Sequence, residues 1–185
     1  MAGAVNTRGE ADRTGLDEVA AVSTPFAHHE EAAADVGAAP PEVFAFLDDH
    51  RRLSAHMESS SLMMAGSSLR VETDDRHGQA VGSHIRLAGR VLGLRLSLDE
   101  VVTDYEPPWR KAWQTVGEPR LLVIGSYRMG FDVRGTSGRG HVRIWIDYDL
   151  PPRGVARWLG RLLGRAYARW CTEQMLRGCR QAFGA

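Results

Sequence analysis

The order of its elements limits this chain more than any single motif does. Residues 61–150 divide into alternating strands separated by turn clusters, and one long helical stretch, Pro152 to Phe183, follows them. One helix does not cover a sheet of that size on both faces. A sheet that curves around the helix solves the problem and leaves room between the two layers, and such room is commonly a ligand cavity. The sequence therefore predicts an α+β protein whose curved antiparallel sheet wraps around its C-terminal helix.

Phe26 to Val36 reads as an opening strand, ended by Gly37. Pro40 and Pro41 suit the first turn of a helix, where a missing N–H costs nothing. Val43, Phe44 and Leu47 then share one face, and Asp48 and Asp49 are placed to cap a second short helix through His50, Leu53 and Met57. Strands are expected over 61–73, 80–91, 94–106, 109–116, 120–133 and 141–149. The clearest alternations are Leu94, Leu96 and Leu98 against Arg95, Ser97 and Asp99, and Val142, Ile144, Ile146 and Tyr148 against Arg143, Trp145 and Asp147. In 120–133 the inward set is Val123, Tyr127, Met129, Phe131 and Val133. Pro107-Pro108 and Pro151-Pro152 end strands, because proline cannot extend the ladder. By parity Trp145 falls on the convex face, where an exposed indole would mark a homodimer contact.

The terminal helix carries an apolar stripe of Val155, Leu159, Leu162, Leu163, Ala166 and Trp170, expected to pack on the sheet. Arg153, Arg157, Arg161, Arg165 and Arg169 step by four along the other side and read as a solvated face. Further on, Trp170, Cys171, Gln174 and Met175 look like a pocket wall. The two cysteines, Cys171 and Cys179, are eight positions apart on this helix, so their Cα atoms lie about 12 Å apart, too far for a disulfide. Reduced thiols point to the cytoplasm.

A formal net charge of zero and a pI near 7.1 argue against an electrostatic grip on nucleic acid or on an anionic membrane. No apolar run reaches the roughly 18 residues that span a bilayer. Residues 1–24 lack the basic start and apolar core of a secretory signal, and their small and alternately charged residues read as a disordered leader. Residues 25–185 are then one domain.

Several stretches together resemble the START-like SRPBCC superfamily, which includes polyketide cyclases/dehydratases and lipid-transfer domains. They are Pro40 to Asp49, the strand start Gly78 to Ser83, and Asp99-Glu100-Val101-Val102 with the following Glu106-Pro107-Pro108; the long C-terminal helix completes the pattern. The resemblance spans about Phe26 to Phe183. It implies a helix-grip fold, with a strand, two short helices, six further antiparallel strands and the final helix. The superfamily has no shared catalytic set to carry over.

Searches for chemistry leave little. The seven histidines show no metal-ligand spacing, and no nucleophile elbow or phosphate-binding loop is present, so neither a metal nor a cofactor is expected. What remains is polar residues on inward faces. If Leu94, Leu96 and Leu98 point inward, so does Glu100, with Trp113 or Gln114 opposite and Lys111 diagonally near. Glu100 and Tyr127 are the catalytic candidates; a Glu100–Lys111 ion pair at the sheet rim is the structural alternative. The expected cavity lining is His56, Met57, Ile85, Leu96, Trp113, Tyr127, Met129, Ile144, Trp170 and Gln174, around a space on the order of 300–1,000 Å³. The leading reading is a protein that binds a hydrophobic small molecule, such as a polyketide, quinone or lipid. The alternatives are a cyclase/dehydratase-type enzyme using the same cavity, and a protein-interaction domain.

Overall fold

The computed structural model describes residues 26–49, 68–91 and 94–184. Among them, in chain order, are β1 (His28–Val36), α1 (Pro40–Asp48), β2 (Ser68–Thr73), β3 (His84–Val91), β4 (Leu94–Glu106), β5 (Arg110–Arg120), β6 (Tyr127–Thr136), β7 (Arg139–Tyr148) and α2 (Gly154–Phe183). All seven strands form one antiparallel sheet in the order β1-β7-β6-β5-β4-β3-β2. The sheet curves around α2, the helix-grip arrangement. The expected second short helix lies outside the described residues.

Strand identity follows the alternation, and paired residues share a face. Two inward rows organise the site. One crosses Glu30, Ile146, Met129, Trp113 and Val102, and the next crosses Ala32, Ile144, Phe131, Lys111 and Tyr105. α1 covers the second row, with Phe44 edge-on to Phe131 (5.4 Å) and to Tyr105 (5.8 Å). Prolines open α1, and the Glu42 carboxylate accepts the Ala39 N–H at 3.0 Å, tying off its first turn.

Three local expectations are corrected. The stretch 120–133 is not one strand: β5 runs on to Arg120, 121–126 is a loop, and β6 begins at Tyr127. Residues 121–125 are apolar side chains and a glycine with no strict alternation, so the loop is hidden inside an apolar run. Trp145 does lie on the convex side, yet it is 9% exposed, seated on Gly130 and capped by the Arg128 guanidinium 5.3 Å from its ring. Its indole N–H donates to Asp132 (3.2 Å), so it offers no exposed dimer contact.

The third correction concerns α2. Its buried face is Gly160, Gly164, Ala168, Thr172 and Leu176, stepping by four, together with Cys179. The residues that form the apolar stripe in sequence are largely outside, with Val155 74%, Leu162 64% and Leu163 44% exposed. Small residues win because the helix lies close on its neighbours. A Cβ at Gly160 would come within 2.8 Å of Pro151 Cδ and 2.9 Å of the Val123 carbonyl oxygen, and one at Gly164 within 3.0 Å of Leu150 Cδ2.

Candidate functional site

Between the sheet and the second half of α2 lies a cavity of about 140 Å³. β2 and β3 supply Val71, Ile85 and Leu87; β4, β5, β6 and β7 supply Leu98, Glu100, Trp113, Tyr127, Met129 and Ile146. The 121–126 loop adds Leu121 and Ile124, and α2 closes the space with Tyr167, Trp170, Cys171, Gln174 and Met175. The volume is well below the 300–1,000 Å³ expected, because Trp113, Tyr127, Tyr167 and Trp170 all project into the same space.

Of the lining expected from sequence, Ile85, Trp113, Tyr127, Met129, Trp170 and Gln174 meet around this cavity. Leu96 and Ile144 do not border it. Leu96 pairs with Gly89, further along the β3–β4 hairpin than the Leu98–Leu87 pair at the cavity edge. Ile144 sits in the row beneath α1, fully buried in the dry core, and Ile146 two residues on takes the position at the cavity. His56 and Met57 lie outside the described residues. Val71, Leu87, Leu121, Ile124 and Tyr167 also line it without having been picked out in the sequence. Tyr167 carries a usable signal, standing four positions before Cys171 and three before Trp170 on one helix face.

The polar end of the cavity is Glu100. It is 4% exposed, faces Ile85 on one side and Thr115 on the other, and accepts hydrogen bonds from the Tyr127 hydroxyl and the Trp113 indole. Burial pushes its carboxyl up to about 7, against the opposing pull of those two hydrogen bonds and of the Lys111 charge. Burial and the neighbouring Glu100 hold the Tyr127 phenol well above its ordinary range, so it stays protonated. Cys171, bonded to Tyr167, is pushed up to about 12 by burial and stays a thiol. Among the cavity's described ionisable groups, Glu100 alone changes charge near neutral pH.

Lys111 is not Glu100's ion-pair partner. The turn pairs Glu106 with Arg110 and Tyr105 with Lys111, and that register, with the shift between Val102 and Asp104, places Thr115, rather than Trp113 or Gln114, opposite Glu100. Lys111 pairs with Tyr105 and Phe131 in the row under α1, fully buried, and its ammonium donates to Asp48 at the end of α1. Asp48 also accepts from Tyr105 Oη (2.9 Å) and Gln79 Nε2 (3.0 Å). Asp48 thus ties α1 to β4 and β5, where the sequence suggests a helix cap. Among the described residues no group of three His, Cys, Asp or Glu side chains is arranged to hold a metal.

The sequence matches the model of the polyketide cyclase/dehydrase and lipid transport family over residues 27–184. The chain belongs to that family. Solved structures of similar fold include the TTHA0849 protein of Thermus thermophilus, at 16% identity and a TM-score of 0.60, covering 83% of this chain and 95% of that one. Norcoclaurine synthase from Thalictrum flavum, in complex with dopamine and hydroxybenzaldehyde, is similar at 13% identity and a TM-score of 0.57, covering 95% and 96%. The CV1439 protein of Chromobacterium violaceum follows at 12% identity and a TM-score of 0.56, covering 85% and 98%. At these identities the likeness is one of fold. A search of curated protein sequences finds no match.

Proposed function

We propose that this protein binds an apolar small molecule bearing one carbonyl or hydroxyl group, in the cavity between sheet and α2. The observation that carries the reading is a single buried carboxyl, Glu100, in a space whose other walls are apolar and aromatic apart from the Gln174 amide. Apolar walls supply affinity and one polar group supplies orientation. The volume constrains size: a comparable engineered apolar cavity of roughly 150 Å³ admits benzene. A single ring therefore fits inside, and a longer polyketide, quinone or lipid would extend through the mouth or displace side chains. The family's polyketide and lipid associations and the single-ring molecules bound to norcoclaurine synthase are in keeping with this.

The second reading, an enzyme of the cyclase/dehydratase type, is favoured by one observation. A carboxyl near 7 is available both as acid and as base at neutral pH, which suits proton transfer to or from a carbonyl compound held against it. Tyr127 is then a fixed donor that orients Glu100, and the neutral Cys171 is no nucleophile.

Native mass spectrometry of the freshly purified protein tests binding directly. A co-purifying apolar ligand, displaced by a single-ring aromatic aldehyde or ketone and lost in a cavity-blocked variant, supports the proposal. No uptake of any such compound by the folded protein overturns it.

A further inference from the structure

The first half of α2 presents large apolar side chains to solvent. Val155 is 74% exposed, Trp158 and Leu162 each 64%, and Leu163 44%. Together they form an exposed apolar face on one element, and such faces mark interaction sites. Beside this face runs a line of arginines. From Pro151 to Thr172 the chain holds five arginines and no aspartate or glutamate. Arg165 pairs with Glu30 and Arg169 with Glu173, whereas Arg153, Arg157 and Arg161 have no acidic partner among the described residues.

We propose that this half of α2 is a docking face for an anionic lipid bilayer, set so that the cavity lies next to the bound surface. An exposed apolar face containing Trp and Leu, flanked by arginine, is the pattern of a helix lying in a membrane interface. The zero net charge of the chain does not oppose this. Attraction to an anionic surface acts over about 10 Å, so the local excess of arginine decides it and not the whole-molecule sum. No helix of the described residues is long and apolar enough to cross a membrane, so the contact is peripheral.

Continuity with the cavity supports a bilayer over a soluble acidic protein as occupant. Leu163, Tyr167, Trp170 and Gln174 follow one another at helical spacing along one side of α2. The first belongs to the exposed patch and the other three line the cavity. The 121–126 loop makes the same link from the sheet side, since the Val123 carbonyl lies over Gly160 and Gly164 while Leu121 and Ile124 face the cavity. An apolar molecule leaving the bilayer at this helix would meet Leu163 and then the aromatic rings of Tyr167 and Trp170. Docking itself does not depend on what the cavity holds.

The test uses the full chain and vesicles of phosphatidylcholine with or without roughly one third phosphatidylglycerol, in co-sedimentation at low salt. Binding to the anionic vesicles, weakened by added salt, is expected. Arg157→Glu/Arg161→Glu and, separately, Trp158→Ser/Leu162→Ser should each reduce it about tenfold or more, with unchanged circular dichroism, because these side chains are exposed. Trp158→Phe should keep binding but lose most of the fluorescence quenching by brominated lipid. Failure of the full chain to bind anionic vesicles overturns the proposal, as does binding indifferent to both double variants. So does a concentration-dependent dimer abolished by the same substitutions, which would assign the face to a second copy of the chain.

Discussion

Glu100 on β4 and Tyr127 on β6 are hydrogen-bonded across the strand that separates them. The Tyr127 hydroxyl donates to Oε1, and Thr115 on β5 holds both ends, pairing with Glu100 while its hydroxyl accepts the Tyr127 backbone N–H at 3.1 Å. A buried carboxyl with two fixed donors is positioned more firmly than a surface one, yet the donors do not offset its loss of hydration. That is why its pKa still rises.

The rise has a consequence for stability. The folded state holds the Glu100 proton more tightly than the unfolded chain, with a pKa of about 7 against an ordinary 4.5. The stabilising contribution is therefore complete below the ordinary value and is lost as pH climbs through about 7. Its full size is roughly 3 kcal/mol. Glu100→Gln removes this titration. Urea unfolding of wild type and variant should show the wild type losing stability relative to Glu100→Gln between about pH 5 and pH 8. A constant difference across that range would show that Glu100 titrates normally.

The buried pair Lys111–Asp48 makes a separate demand. Removing one partner leaves a buried charge alone, so Lys111→Met and Asp48→Asn should each cost about 3–5 kcal/mol. The double variant should cost much less than the sum. Lys111→Met combined with Glu100→Gln should instead show weaker coupling than the Lys111–Asp48 pair, since the Lys111 charge acts on Glu100 less than burial and the Tyr127 and Trp113 hydrogen bonds do. Strong coupling with Glu100 and none with Asp48 would contradict the arrangement.

The sheet is readable in the sequence because strand alternation has period two and its breaks carry Gly, Pro or Asp, as at Glu106-Pro107-Pro108. The face of Tyr127, Met129 and Phe131 is readable for the same reason. Two things are not. The register of the β4–β5 hairpin, which puts Lys111 opposite Tyr105 and, with the shift between Val102 and Asp104, Thr115 opposite Glu100, is not announced by the sequence, so parity alone sends Lys111 to the wrong carboxylate. A clue lies in composition: Lys111 is the sole lysine of a chain that otherwise uses arginine, and it is fully buried. The packing face of α2 is hidden because hydrophobic periodicity finds large side chains, while close approach selects Gly160, Gly164 and Ala168.

Gly160→Ala tests that packing. Alanine favours a helix over glycine by about 1 kcal/mol. Here its Cβ would meet Pro151 Cδ at 2.8 Å and the Val123 carbonyl oxygen at 2.9 Å, and a Cβ has no rotamer to escape into. Overpacking of this kind costs about 1–3 kcal/mol, so a net loss of about 1 kcal/mol is expected in denaturant unfolding. A gain in stability would mean that α2 sits further from the 121–126 loop than described.

Met129 and Ile144 separate the cavity from the core. Both lie on the inward face and one row apart, but Met129 borders the cavity and Ile144 is closed in beneath α1. Met129→Trp should extend its ring into open space, keep the circular-dichroism spectrum and lower the affinity of an apolar fluorescent probe by about tenfold or more, since the space is only ring-sized. Ile144→Trp finds no space and should destabilise the fold by about 1–3 kcal/mol or more while leaving probe affinity in the surviving folded fraction unchanged. Measuring probe titration and urea unfolding on the two variants side by side distinguishes the roles. Equal loss of binding in both would place Ile144 on the cavity wall, and unchanged binding in a folded Met129→Trp protein would remove the cavity as the site where the probe binds.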